Sequence, residues 1–472
     1  MTVTFLGDSA GKGVSVFLVF QKKVCLILLI GLLLASCEQP DNGSLPHVDE
    51  IITIYSQADM AKIGVAESHP LSGNYLLANN ITLENWLPIG DAATPFTGVF
   101  DGNEKKITLN SFDTTAVSEK TYLGIFGYVK GLPASAGKSA SAKAAIKNLS
   151  INSSVNAASI MESGQAAGLA AGYAELAVIE NITLTGTFAF ESEKTIFTGG
   201  VAGFISGDTL VKDSKSSLTM NIVPGSGSGL SGAYNYAGGF VGLFRNGAGI
   251  ENCHNTGDVI ADNAANAVSG QVFAGGIAGG SAYGFITAYQ GYIKDSSFTG
   301  TVTGRATGDW TFVGGIAGTI CGGTINDIAA TTRIERCFVS GTVSNEGDKS
   351  GFPYIGGVVA YNYYGALVSQ SYFNGTIISG GAKNPFACGG VVGYHSQAPV
   401  PNSSRVEECY SGGTANINNG ARVVGTTAGS AMAPQRCYTV TSPQPQTYYA
   451  GWDFANVWKM GDDYPKLRWQ QL

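Results

Sequence analysis

One phrase recurs through this chain and limits its fold more than any other feature. It reads Tyr236-Ala-Gly-Gly-Phe-Val-Gly242, Phe273-Ala-Gly-Gly-Ile-Ala-Gly279, Phe312-Val-Gly-Gly-Ile-Ala-Gly318, Tyr354-Ile-Gly-Gly-Val-Val-Ala360 and Ala387-Cys-Gly-Gly-Val-Val-Gly393, with weaker copies at residues 122–127, 165–172 and 197–203. A second phrase follows each time: Ile146-Lys-Asn-Leu149, Ile179-Glu-Asn-Ile182, Val211-Lys-Asp-Ser214, Ile250-Glu-Asn-Cys253, Ile293-Lys-Asp-Ser296, Ile334-Glu-Arg-Cys337, Val368-Ser-Gln-Ser371 and Val406-Glu-Glu-Cys409. With second glycines at Gly124, Gly168, Gly200, Gly239, Gly276, Gly315, Gly357 and Gly390, the period wanders between 32 and 44 residues. Loops of variable length on a fixed core explain that wandering.

Each unit offers three short β-prone stretches separated by Gly, Asn, Asp and Ser turns, with a branched residue alternating against polar ones. One such unit cannot bury its apolar side. Stacked as coils, the units bury a continuous column of Ile, Val and Leu and pair each strand with its neighbours about 4.8 Å above and below. The sequence therefore predicts an all-β fold, a right-handed parallel β-helix (solenoid) with N- and C-terminal caps. Eight or nine coils make a rod roughly 40 Å long at that spacing. Composition agrees: 66 glycines in 472 residues and 13% charged residues are too apolar for a disordered chain and too glycine-rich for a helical one.

The segments flanking the repeats read as caps, because end coils would otherwise expose core and strand edges. Ser56-Gln-Ala-Asp59 looks like an N-capped helix running to Ile63 and covering the first coil. Trp452, Phe454, Trp458, Tyr464 and Trp469 are expected to fold over the last coil. The boundaries are then a leader over 1–36, a linker over 37–50, an N-terminal cap and first coil over 51–112, the repeat β-helix over 113–442 and an aromatic cap over 443–472.

Gly-Gly-[Ile/Val]-x-Gly followed by Ile-Glu-Asn-Cys and by Gly-Thr-Val, as at residues 300–302 and 341–343, resembles the GLUG repeat of bacterial exported proteins. Residues 71–83, Pro88-Ile-Gly90 and 95–103 resemble the opening segment of such arrays, and residues 451–469 their end. The resemblance implies a β-helix at the cell surface, often attributed to adhesion and sometimes appended to immunoglobulin A1 peptidases. It implies no reaction. The repeat is degraded in places, with Ala360 in place of the last glycine and Gly425-Thr-Thr-Ala-Gly429 near the end.

At the N-terminus Lys22 and Lys23 precede about twelve apolar residues over 24–35, and then Leu34-Ala-Ser-Cys37. That run is short of the about 20 residues a membrane-spanning helix needs. A basic start, a short apolar core and small residues before a cut describe a signal peptide, and Leu-Ala-Ser-Cys resembles the bacterial lipobox. The resemblance implies lipidation of Cys37 and a membrane partner through that anchor, with Glu38 mildly favouring passage to an outer membrane. Residues 1–20 do not look like a signal n-region, which suggests a later start, such as Val19.

Removing the leader, with Lys12, Lys22 and Lys23 against Asp8, leaves a net charge of about −9 and no basic stripe, so no nucleic-acid partner is expected. It also leaves Cys253, Cys321, Cys337, Cys388, Cys409 and Cys437 beside the lipidated Cys37. Cys253, Cys337 and Cys409 fall in one column, with Ser296 and Ser371 at the same place in the coils between. Cysteines two coils apart stand about 9 to 10 Å from each other, beyond the roughly 7 Å reach of a disulfide. Stacked free thiols are expected.

Signs of chemistry are few. The four histidines, His47, His69, His254 and His395, show no metal-ligand spacing, and no zinc-peptidase helix is present, so neither metal nor cofactor is expected. Gly227-Ser-Gly-Leu-Ser-Gly232 matches a dinucleotide fingerprint but leads into a repeat strand rather than the required helix. Glu407 and Glu408 would point to opposite faces of a strand. Aromatic residues are the surplus: Tyr283, Phe285, Tyr289 and Tyr292, then Tyr361, Tyr363, Tyr364 and Tyr394, all just after Gly-Gly strands. Their rings either pack over turn backbone and into the core, or stand exposed to stack on sugars or anchor a protein. A glycan- or host-matrix-binding surface is the favoured function. A carbohydrate-active β-helix enzyme, a polysaccharide lyase or glycoside hydrolase, is the alternative.

Overall fold

The computed structural model describes residues 50–471, except 114–121, 133–142, 162–164, 193–195, 225–232, 266–269, 282–289, 307–308, 326–327, 347–351, 381–385, 397–403, 418–421 and 430. The leader, Cys37, Tyr283, Tyr289 and the 227–232 fingerprint lie outside the described residues. The chain winds as a parallel β-helix. A typical coil runs a strand of an eight-stranded sheet, bends at the Gly-Gly pair, runs a strand of a nine-stranded sheet, and crosses a 23-stranded sheet in two or more segments. Every pairing within these three sheets is parallel, and each repeat lies in register on the next.

The register follows from what each column must bury. Ile146, Ile179, Val211, Ile250, Ile293, Ile334, Val368 and Val406 stack directly on one another and are almost wholly buried. Each contributes roughly 1.5–3 kcal/mol by leaving water. The residue after each of these faces outward, and along the stack Asp101, Lys147, Glu180, Lys212, Glu251, Lys294 and Glu335 alternate in sign. Ion pairs join Lys147 to Asp101 at 3.5 Å, Lys212 to Glu180 at 2.8 Å and Lys294 to Glu251 at 2.8 Å. A slip of one coil would set like charges opposite each other, so the ladder helps to specify the stacking.

The third residue of the phrase makes the bend. Asn148, Asn181, Asp213, Asn252, Asp295, Arg336, Gln370 and Glu408 all have φ between 46° and 54°, a left-handed conformation that Asn and Asp tolerate best. Their side chains interlock between coils: Asn181 donates to Asn148 at 3.0 Å, Asn252 to Asp213 at 2.7 Å, and Arg336 grips both carboxylate oxygens of Asp295 at 2.6 and 2.7 Å. The fourth residue turns inward again. Ser296 Oγ accepts the Cys253 N–H at 3.2 Å and donates to the Lys294 carbonyl at 2.8 Å, and Ser371 does the same for Cys337 and Ser369. Serine and cysteine thus satisfy a backbone N–H that the bend removes from the ladder.

The glycine pair is a steric requirement. A Cβ on the first glycine would sit 2.1 Å from the Val241 carbonyl oxygen at Gly238 and 2.0 Å from that of Ala317 at Gly314. On the second it would strike the next coil, at 2.2 Å from the Gly276 oxygen for Gly239 and 2.2 Å from the Gly357 oxygen for Gly315. Gly168 pairs with Gly199, and Leu123 with Ala167. Gly124 and Gly168 therefore occupy the first-glycine place, one residue from the expected register, with Ile125 and Leu169 buried where the second glycine would be.

Both flanks differ from expectation. The N-terminal helix is one turn, Gln57–Met60, capped by Ser56 through the Asp59 N–H at 3.3 Å, and it stops short of Ile63. Met60 and Ile63 still close the main core. The C-terminal aromatics turn sideways instead of lying over the last coil. An antiparallel hairpin, Trp458–Met460 with Pro465–Leu467, and the neighbouring Tyr449, Trp452 and Tyr464 pack on an outer column of Phe338, Tyr372 and Tyr410. Trp469 reaches back to His254, with ring centroids 5.8 Å apart. That column presents large rings, and it is these that the C-terminal segment covers, rather than the small-residue terminal strand Val424–Ala428.

Candidate functional site: an aromatic face beside the glycine bend

Beyond the Gly-Gly bend, the eight- and nine-stranded sheets approach each other backbone to backbone. The third glycine permits this contact: a Cβ on Gly242 would lie 2.4 Å from the Thr198 nitrogen. Side chains on the outer side of both sheets fill the seam as they diverge and form a second core separate from the main one. In it Tyr236, Phe273, Phe312 and Tyr354, the first residues of successive repeat phrases, stack with centroids 4.3, 4.8 and 4.7 Å apart and planes within 14° of parallel. The coil rise matches the preferred separation of stacked rings.

Toward the C-terminal coils this seam opens to solvent. An unbroken path of rings runs from Trp310 to Phe352 (6.1 Å), Phe386 (5.5 Å), Tyr394 (5.7 Å), Tyr361 (5.2 Å), Tyr363 (5.1 Å) and Tyr364 (3.8 Å). Phe352 and Phe386 are each 47% exposed, and the tyrosines are half-buried. Burial raises the tyrosine hydroxyls, Tyr354 to about 12 and Tyr361 and Tyr363 further still, with neighbouring phenols adding to it. The face combines flat apolar rings with hydroxyl donors.

Tyr361, Tyr363, Tyr364 and Tyr394, expected from the sequence, come together here. Tyr292 does not. It lies on the 23-stranded sheet, in register with Gly249 and Arg333, its ring laid across Gly249 and its hydroxyl donating to Glu251 at 2.6 Å. There it borders a separate polar cleft of about 460 Å³ lined in part by Asp208, Gln290, Lys294, Arg333 and Glu335. Trp310, Phe352 and Phe386 were not singled out by sequence reasoning. The signal was an aromatic residue just ahead of the Gly-Gly strand in three consecutive repeats.

Among the described residues no group of three or more His, Cys, Asp or Glu side chains is placed to hold a metal ion, and no helix is long and apolar enough to cross a membrane. Glu407 and Glu408 diverge. Glu407 pairs with Arg405 at 3.2 Å, while Glu408 sits at the left-handed bend and pairs with Arg436 and Gln370.

No curated protein matches the sequence. Among solved structures the chain is similar to the crystal structure of a "putative immunoglobulin A1 protease" from Bacteroides ovatus, with 18% identity over 89% of this chain and 93% of that one and a TM-score of 0.39. The model of the GLUG motif matches residues 233–260, which hold one Gly-Gly bend and the Ile250-Glu-Asn-Cys253 turn after it. Both parts of that motif recur in register from coil to coil, so the chain carries the GLUG motif at residues 233–260 within an array of similar repeats.

Proposed function

We propose that this is an exported, lipid-anchored surface protein whose aromatic face holds an extended partner, a glycan or a host-matrix protein, without changing it chemically. The observation that carries the reading is the continuous ring path from Trp310 to Tyr364 with Phe352 and Phe386 half exposed. Contiguous exposed apolar patches on soluble proteins tend to mark interaction sites. A rigid solenoid adds to this, because several weak contacts at regular spacing sum along an extended ligand. The leader and the Leu34-Ala-Ser-Cys37 stretch support export and anchoring.

Binding of the purified protein to a glycan array and to immobilised matrix proteins tests the reading. A specific binder among them, lost in Phe352→Ala/Phe386→Ala, is the expected result, and retention in that variant would remove the site. A second reading, a carbohydrate-active enzyme, is favoured by one feature, the gathering of Asp208, Glu335, Lys294 and Arg333 in the cleft beside Tyr292. Release of unsaturated or reducing sugar from a polysaccharide would replace the binding reading with that one.

A further inference from the structure

The inward ladder of serine and cysteine has one irregularity. Ser214, Cys253, Ser296, Cys337, Ser371 and Cys409 alternate strictly up the stack, so that each of these cysteines is separated from the next by a serine coil. The next coil continues the column with Cys437. Tyr410 pairs with Tyr438 and Glu407 with Gln435, which places Cys409 and Cys437 directly in register in adjacent coils. The Cys409 N–H points at Cys437 Sγ, 3.5 Å away. Both thiols face the same way, Cys409 Sγ toward the Glu407 carbonyl at 3.2 Å and Cys437 Sγ toward the Gln435 carbonyl at 3.2 Å. Adjacent strands stand about 4.8 Å apart, inside the range of Cα separations that a disulfide spans.

We infer that Cys409 and Cys437 are a built-in dithiol that closes to a disulfide when the folded chain meets a disulfide oxidant, tying the terminal coil to its neighbour. The two sulfurs have different parts in the reaction. Cys437 is only partly buried and accepts the Cys409 backbone N–H, and the neighbouring Cys409 side chain holds the Cys437 thiol below the ordinary value, whereas burial holds Cys409 above it. The Cys437 thiolate attacks one sulfur of the oxidant's disulfide and expels the other as a thiolate. Cys409 then gives up its proton, attacks the Cys437 sulfur, and releases the second oxidant thiolate. The two cysteines lose two protons and two electrons, and one oxidant disulfide becomes two thiols. A terminal coil has a neighbour on one side only and is the first to fray in a stacked array, so this is where a covalent tie has most effect.

The inference does not depend on the ligand or on the proposed function. The reduced full-length protein is incubated with oxidised glutathione under native conditions, then unfolded, alkylated and mapped by mass spectrometry. The expected product is a Cys409–Cys437 cross-linked peptide, with Cys253, Cys321, Cys337 and Cys388 alkylated. Oxidation of the urea-unfolded chain should scatter the pairings. Cys409→Ser should strand Cys437 as a glutathione mixed disulfide, and Cys437→Ser should leave Cys409 reduced. Recovery of both thiols alkylated in the native protein, or the same scattered pairings from native and unfolded chains, would overturn it.

Discussion

Gly315→Ala is the substitution through which the repeat geometry is most directly exposed. Its new methyl would stand 2.2 Å from the Gly357 carbonyl oxygen and 2.6 Å from a methyl of Val339. An ordinary contact needs the next coil to retreat by about 1 Å, and a backbone carbonyl cannot swing aside as a flexible side chain can. That retreat stretches the Gly315 N–H to Gly356 bond, already 3.3 Å, and the Ile316 N–H to Val358 bond at 2.9 Å. Overpacking costs about 1–3 kcal/mol and each weakened hydrogen bond about 1 kcal/mol, so a loss of about 3 kcal/mol or more is expected. Gly380 is the control. A Cβ there meets nothing nearer than 3.3 Å, and that neighbour is the flexible Glu346 side chain; Gly380→Ala should be neutral or stabilising by up to about 1 kcal/mol, since alanine narrows the unfolded ensemble. Urea unfolding followed by circular dichroism reads both. Equal midpoints for the two variants would refute the one-coil-per-repeat packing.

Two further outcomes follow from the structure and a third from the leader sequence. Lys294→Glu removes the 2.8 Å pair with Glu251 and stacks like charges beside Glu251 and Glu335; a loss of about 1–2 kcal/mol is expected at low ionic strength, and a deficit that does not shrink in high salt would argue against the charge ladder. His254 and His395 are held by burial below the ordinary imidazole value of 6.5; the unfolded chain therefore binds protons more readily, and stability should fall as pH drops below 6.5 until the folded-state values are passed. Replacing both with Gln should flatten that part of a urea-midpoint profile, and an unchanged slope would assign the pH dependence elsewhere. Cys37→Ala should convert a protein that partitions into detergent into one that does not, and equal partitioning would dispose of the anchor.

The stacked architecture was legible because its cause is periodic. A column such as Ile250, Ile293 and Ile334 leaves the same mark every coil, and the glycine pair is demanded by backbone contacts that no other residue permits. The direction of the C-terminal aromatics was not legible, because it depends on which rings the outer column Phe338, Tyr372 and Tyr410 presents, a property of register rather than of local sequence. The candidate site was half legible. Tyr361, Tyr363, Tyr364 and Tyr394 cluster along the chain, whereas Trp310, Phe352 and Phe386 join them only once three coils are superposed. Tyr292, similar in its position after a Gly-Gly strand, instead pairs with Gly249 on the 23-stranded sheet, a placement that its local sequence does not mark.

The claim that the aromatic face is a non-catalytic binding surface is tested most directly by calorimetry. Wild type and Phe352→Ala/Phe386→Ala are titrated with the glycan or matrix protein that the wild type captures, and the ligand is recovered afterwards. Two half-exposed rings at the lip of the seam should together be worth about 2 kcal/mol or more, so the account predicts a Kd raised about thirtyfold or more, an unchanged fold and an intact ligand. An unchanged Kd in the double variant, or a ligand recovered cleaved, would contradict it.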